Sequence, residues 1–523
     1  MASNSKVAVE RDFPVLSGLN TAQKPTSLTP GQFRYMKNAY QGNELGSCTK
    51  RPGTIPVTGT ALGAAAGHLT KYNANDKIIA SSGTSLYKYN PVTGEWVALN
   101  GVINQADIYD VDFTDMNTVS RKIIADKGAL KAYDDATETV SEITPAADDP
   151  EPAPPNALST INGKKPKYVW SYQSHVFVAF ERSDEVYYSK RFTFDYWPSV
   201  QYERWVKDND YINGCGVAFD NALLIPMRRH WGILLGSTFD NFQGNLFLNT
   251  SAGVVAPRSI AKIMYPNGVQ TIAYLSDDGV HEIYDTGFEG EGSRRYSTRS
   301  LMKDKINFDV LGLTEAEKAA AVGYFDSEMS LYLLKFNKGS EQFIYAFDTR
   351  NGEWYPWDNI RANGFVRVSD TLYFAGSTGH LHKFDVSLAS DWNDKNMTSG
   401  TPVDWDVITD IYALEDSGFA SYLDYLMIWS KQYDTESSID VSVNFFSGTE
   451  EYQRLVENAI MIWGVAKWGV AAWYNVNFSD FIGRPVRKPI KKKSHYFQIR
   501  FRNNRDELVK LYRFKLVGRV SGK

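Results

Sequence analysis

Seven histidines, two cysteines and one dense basic run are the side chains through which this 523-residue chain can do chemistry. His68, His175, His230, His281, His380, His382 and His495 are scattered, and none stands in an HExxH helix or in a Cys/His spacing that binds zinc. His380 and His382 lie two apart on a predicted strand and share a face, but no third ligand accompanies them. Asp277-Asp278-Gly279 invites a carboxylate reading. Glycoside hydrolysis, however, needs a second carboxyl about 5–9.5 Å away across the sugar, and Asp-Gly is itself a favoured hairpin connection. The segment also lacks the Ser-x-Asp-x-Gly-x-Thr-Trp order of a sialidase Asp-box. No GxGxxG, Walker loop or GxSxG elbow occurs, and Cys48 and Cys215 form no CxxC pair. The sequence therefore predicts no catalytic residue, no cofactor site and no metal site.

The basic run is a different signal. Arg487, Lys488, Lys491, Lys492 and Lys493, with Arg500 and Arg502 beyond them, are candidate residues for binding a polyanion or another partner. Each phosphate that such cations neutralise adds a salt-dependent increment of affinity. The same run suits a solvated connection between strands, or a patch facing acidic neighbouring subunits. Residues 484–523 hold 14 Lys or Arg against Asp506 and Glu507, a local charge of +12, so the remaining 483 residues carry −17 within a chain of net charge −5. Just before this end, Trp463, Trp468 and Trp473 recur every five residues, a period matching neither one helix face nor one strand face. Successive turns, each planting an indole on a core or subunit interface, accommodate that spacing.

The elements that position these residues are strands. Aromatic residues make up 14% of the chain and favour β structure. From about residue 60 to 390 a unit recurs: an apolar strand, a glycine turn, an alternating strand, and an Asp or Asn opening the next turn. Ile78-Ile79-Ala80, Gly83 and Leu86–Asn90 form one copy; Ile123-Ile124-Ala125, Gly128 and Leu130–Asp134 form another, 45 residues on. Gly279 with Asp285 and Gly379 with Asp385 repeat it. Asn90–Trp96 is echoed by Asp348–Trp354, and further hairpins are visible at Tyr168–Ser189 and Gly216–Gly236. Short strands with a period of about 40–50 residues read as β-propeller blades, six to eight of them. Pro145, Pro150, Pro152, Pro154 and Pro155 mark a non-strand insertion near 145–155, and Thr314 with Glu317 forms the capping box of a short helix between blades.

The expected architecture is all-β in three parts. Residues 1–56 form an extended N-terminal arm punctuated by Pro, Gly and apolar anchors such as Phe13, Leu16 and Phe33. Residues 57–400 form the propeller, and 401–523 an antiparallel, sandwich-like domain in which Tyr512, Phe514 and Leu516 face one way, Arg513 and Lys515 the other. The most apolar stretch, 459–473, is 15 residues long and interrupted by Lys467, short of the roughly 20 a spanning helix needs. The start lacks the pattern of a secretory signal.

Four features together resemble a known family. These are the arm (Ser17–Thr21, Leu28–Gln32, Asn38 and Lys50-Arg51-Pro52-Gly53), the run of propeller hairpins, Leu313–Phe325 ahead of Leu331-Tyr332-Leu333, and the Trp-every-five segment before a basic, strand-rich end. In these the chain is similar to the tail hub, nozzle or packaged-DNA stabilisation proteins of short-tailed bacteriophages. The resemblance implies a non-enzymatic virion component, assembled in the host cytoplasm and placed in the tail. It implies a homo-oligomer, a hexameric ring below the portal and head–tail adaptor, in contact with other tail proteins and with double-stranded DNA passing through its channel. Two other classes fit the fold. A propeller glycoside hydrolase, lyase or depolymerase requires an acidic cluster in the central channel. A carbohydrate- or receptor-binding propeller exposes Trp96, Trp354 and Trp357 as stacking platforms.

Overall fold

The computed structural model describes residues 6–24, 28–147, 154–238, 241–250, 252–287, 295–414, 421–431, 433, 437–445, 448–457 and 486–521. Five short strands open the chain: β1 (Lys6–Phe13), β2 (Phe33–Lys37), β3 (Ala39–Tyr40), β4 (Cys48–Lys50) and β5 (Gly53–Pro56). Blade 1 comprises β6–β9 (Ala66–Tyr72, Lys77–Ser82, Ser85–Asn90, Glu95–Ala98), and blade 2 comprises β10–β13 (Tyr109–Thr114, Ser120–Ala125, Lys131–Asp134, Thr139–Glu142). After α1 (Leu158–Gly163), blade 3 is β14–β17 (Pro166–Tyr172, His175–Phe180, Glu185–Tyr188, Tyr202–Arg204). Blade 4 is β18–β21 (Val217–Phe219, Ala222–Pro226, Trp231–Leu235, Gln243–Phe247), and blade 5 is β22–β25 (Ala261–Met264, Gln270–Ser276, Gly279–Asp285, Tyr296–Ser300). The helix α2 (Glu315–Ala319) leads into blade 6, β26–β29 (Val322–Asp326, Leu331–Lys338, Glu341–Asp348, Glu353–Asp358). The Thr314 side chain and Glu317 form the reciprocal cap expected of α2.

Blade 7 closes the ring with borrowed chain. Its first three strands are β30–β32 (Gly364–Val368, Thr371–Ala375, Leu381–Asp385), and the fourth is β5 of the arm, paired antiparallel with β32 so that Gly53 faces Asp385 and Ile55 faces Lys383. Two further strands, β33 (Ser390–Trp392) and β34 (Gly400–Pro402), widen this sheet. The protein is thus a seven-bladed β-propeller among the described residues. A side chain at Gly53 would meet the Ser390 carbonyl oxygen at 2.3 Å, so the close crossing of β5 and β33 needs glycine there.

The remaining strands are β35 (Trp405–Thr409), β36 (Ser421–Ser430), β37 (Ser437–Phe445), β38 (Gly448–Glu457), β39 (Val486–Ser494), β40 (Phe497–Asn503) and β41 (Lys510–Ser521). They form a two-sheet sandwich together with the arm. One sheet runs β3-β4-β41-β36-β39, with β1 also paired to β41; the other runs β2-β35-β40-β37-β38. The extended arm is therefore woven in: four of its strands belong to the sandwich and the fifth to the propeller.

Apolar burial follows this weaving. Separate layers fill the gaps between successive blades, for example Ile79 and Leu86 against Ile124 and Tyr133 between blades 1 and 2, and Leu69 and Ile78 against Val366 and Leu381 where blade 7 meets blade 1. The largest cluster joins blades 5 to 7, the arm and the sandwich, from Leu275 and Trp354 through Phe33 and Met36 to Trp405 and Phe501. Neither the propeller face nor the sandwich face is left uncovered at this junction, because the arm strands lie between them.

Candidate functional site

The cations singled out from the sequence divide into two groups on different sheets. Arg500 and Arg502 project from β40, where Arg500 Nε donates to Asp406 at 2.8 Å and Arg502 Nε to Asp404 at 3.0 Å. Lys37 of β2 binds Asp404 at 3.1 Å and Asp358 at 2.9 Å, so a ladder of alternating charges crosses three strands of this sheet. Similar pairs occupy Arg505 (Asp440), Arg513 (Asp12), Lys515 (Glu10), Arg519 (Asp424) and Lys510 (Glu44). The +12 of the chain's end is thus largely balanced inside the sandwich.

The rest of the run lies on β39, which borders β36 and, among the described residues, ends its sheet. Arg487, Lys491, Lys492 and Lys493 are exposed, Lys488 half-buried and Ile490 buried. Leu423 pairs with Lys492 and Tyr425 with Pro489, so two residues of β39, Ile490 and Lys491, bulge opposite Asp424, with Lys491 at φ 58°. Proline, a bulge and lysines are the devices that keep an edge strand from pairing with foreign strands. The guanidinium of Arg487 stacks over Tyr425 at 3.7 Å. What β39 offers a partner is therefore side-chain charge rather than backbone hydrogen bonds. Trp463, Trp468 and Trp473 lie outside the described residues.

A second constellation sits where arm, propeller and sandwich meet. Arg51 is fully buried and forms a fork with Asp391, Nη2 to Oδ2 at 2.6 Å and Nη1 to Oδ1 at 3.0 Å. Thr54 and Asn359 also donate to that carboxylate. Asn38, at φ 55°, accepts from Arg51 Nε at 3.0 Å and from the Asp358 amide at 2.8 Å, and donates to the Asp404 carbonyl at 3.0 Å. Lys50 buries its ammonium against Asn503 Oδ1, the Arg505 carbonyl and the Glu507 carbonyl at 2.7–3.2 Å. Burial pulls its pKa down to about 7, against the attraction of Asp506 and Glu507. These contacts join segments more than 300 residues apart.

The third site is the propeller channel. Its mouth holds a cavity of about 530 Å³ bordered by Tyr211, Asn213, Arg228, Glu315, Asn337 and Asn363. Most polar groups there tie blades together. Asn213 accepts from Tyr168 of blade 3 and donates to the Val254 and Val255 carbonyls ahead of blade 5. Asn363 accepts from Lys335 of blade 6 at 3.1 Å and donates to the Ala66 carbonyl of blade 1 at 2.8 Å. Burial lowers Lys335 to about 8. Arg258, in the turn before β22, spans to the far wall, donating to the Gly67 and Ile108 carbonyls at 2.9 and 2.8 Å and pairing with Asp107 at 2.6 Å. Below it, His68 of blade 1 meets Asp110 of blade 2 at 2.7 Å. No sequence motif flags this contact, although the two residues are 42 apart, close to one blade period.

The other expectations resolve locally. Asp277 pairs bidentately with Arg228 at 2.8 and 2.9 Å, and Asp278 with His281 at 2.7 Å, on the turn that leads into β24. Burial holds His382 down to about 4, and it contacts Thr378 at 3.1 Å. Among the described residues no group of three or more His, Cys, Asp or Glu is placed to hold a metal ion, and no helix is long and apolar enough to cross a membrane. Trp354 and Trp357 are buried, and their indole N–H groups donate to the Leu301 and Ala39 carbonyls. Trp96 is half-buried and donates to the Gly379 carbonyl of blade 7 at 3.2 Å. These indoles bridge neighbouring elements instead of forming open platforms.

No protein-family model and no curated protein matches the chain. Solved structures similar to it include virginiamycin B lyase from Staphylococcus aureus, at 11% identity and a TM-score of 0.41 over 63% of this chain and 98% of that one. BamB from Moraxella catarrhalis matches at 9% identity and a TM-score of 0.36, over 72% and 98%. The computationally designed Ika8 protein matches at 11% identity and a TM-score of 0.37, over 63% and 99%.

Proposed function

We propose that this chain is a structural, non-enzymatic subunit of a bacteriophage tail, a hub or nozzle protein that forms a six-fold ring and helps retain and conduct the genome. The observation that supports this reading best is the woven arm. The β1–β41 ladder locks the first described strand onto the last, running from Lys6 opposite Ser521 to Phe13 opposite Phe514, while β5 completes blade 7. A part that must withstand internal DNA pressure without ATP needs its domains fixed to one another. The arm supplies that with strand pairing, a shared apolar core and the buried Arg51–Asp391 fork.

The residual charge on β39 suits the same role, as a contact for an acidic neighbour or for DNA phosphates. The carbohydrate-binding reading loses two of its three platforms, since Trp354 and Trp357 are interior and only Trp96 is half-buried. Light scattering on the purified chain tests the proposal: the mass of a hexamer is expected, and a preparation holding only monomers or trimers overturns the ring.

A further inference from the structure

One titratable pair in the channel wall is unused by the proposed role. Asp110 Oδ1 lies 2.7 Å from His68 Nε2, while Oδ2 accepts from Lys122 at 2.6 Å and from Thr70 Oγ1 at 2.9 Å. Lys122 is 3% exposed and also binds Asp112 at 2.8 Å and the Lys71 carbonyl at 3.0 Å. The carboxylate charge is therefore spent on the lysine, not the imidazole. Burial first, then the positive charges of Arg258 and Lys122, hold His68 below its ordinary pKa despite Asp110. The ring is neutral at pH 7, its Nε2 proton directed at Asp110 and its Nδ1 left as an acceptor.

His68 keeps 22% of its side chain accessible, and it borders a cavity of about 270 Å³ whose walls are mainly apolar, among them Leu69, Val217, Ile260, Val322 and Phe365. Arg258 borders the same cavity with its Nε buried and unpartnered, while its other nitrogens hold Asp107 and two carbonyls. An imidazole acceptor thus borders an apolar space that, among the described residues, no carboxylate lines, and Arg258 at its edge is already paired with Asp107. A charged ligand entering it would lose hydration and gain no counter-charge. A cavity of about 150 Å³ accommodates benzene, so the volume admits one substituted ring.

We propose that this cavity binds a small uncharged hydroxy compound of phenol size, its hydroxyl donating to His68 Nδ1 and its ring packed on the apolar wall. The site is independent of the tail role, since ring assembly needs no ligand here and a monomer would bind as well. Calorimetric titration of the full chain with phenol at pH 7.5, with toluene as comparison, tests it. Saturable one-site binding is expected, weakened at least tenfold for toluene and for His68→Phe. Val217→Phe, which fills the opposite wall and leaves the His68–Asp110 contact intact, is expected to weaken phenol binding equally and serves if His68→Phe does not fold. Absence of saturable heat, toluene binding as tightly as phenol, or wild-type affinity in either folded variant overturns the assignment.

Discussion

Arg51 and Asp391 bury a full ion pair whose remaining oxygens and N–H groups are satisfied by Thr54, Asn359, Asp358 and Pro52. Removing one partner strands the other, so Arg51→Ala or Asp391→Ala alone is expected to cost about 3–5 kcal/mol. The double variant should cost less than the sum, and a double-mutant cycle by denaturant unfolding measures the coupling. Additive losses would mean that the pair contributes only packing. Lys50 gives a pH signature beside it. The unfolded lysine holds its proton to about 10.4, whereas the folded one releases it near 7. Between those values the unfolded state binds more protons, so stability rises with pH, by up to about 1.4 kcal/mol per unit. Below pH 7 both states are protonated and the slope vanishes. The stability difference between wild type and Lys50→Met should therefore shift in favour of wild type from pH 7 to 10, as read by urea titration; a constant difference contradicts the buried-ammonium account.

At the scale of elements, the arm decides how the ring holds. Deleting residues 1–13 takes β1 from β41 and removes Phe13, whose ring centroid lies 4.4 Å from those of both Phe514 and Tyr412. Limited proteolysis should then cut first in the sandwich and leave blades 1–5 intact. Deleting residues 1–56 also removes the fourth strand of blade 7 and is expected to leave no soluble folded propeller. Survival of that truncation with unchanged melting would show that β5 is dispensable.

The blades were legible because their signal is local. Gly83, Gly279 and Gly379 take the positive φ of tight turns, and the Glu-Trp of the two Gly-Glu-Trp echoes opens β9 and β29, with each Trp opposite its blade partner. The second copy reaches the same turn differently: Lys127 carries the positive φ, while Gly128 packs against the Asn104 side chain. The arm strands were not legible. They are two to eight residues long, and their partners lie hundreds of positions away, as with Phe33 opposite Thr409. The same distance hid the channel pair, since His68 and Asp110 belong to different sheets and only the blade period relates them.

Across the whole molecule, the charge imbalance visible in the sequence narrows to one strand. Salt-bridged Arg500 and Arg502 leave Arg487, Lys491, Lys492 and Lys493 of β39 as the exposed cations in the candidate set. If β39 meets DNA, duplex affinity falls with salt by a slope of about 0.9 per phosphate contacted, and Lys491→Gln with Lys493→Gln should reduce that slope by roughly two units. Arg500→Gln should leave it unchanged but, by stranding the buried Asp406 carboxylate, cost more stability than the roughly 1 kcal/mol of an exposed pair. An unaltered slope in the lysine variant would instead assign β39 to an acidic protein neighbour. The claim that organises all of this is a rigid, arm-laced subunit built to stand in a ring. Cryo-electron microscopy of the assembled protein tests it most directly: class averages with six-fold symmetry around a channel wide enough for duplex DNA are predicted, and averages showing isolated propeller–sandwich units, with no closed ring in any class, would contradict it.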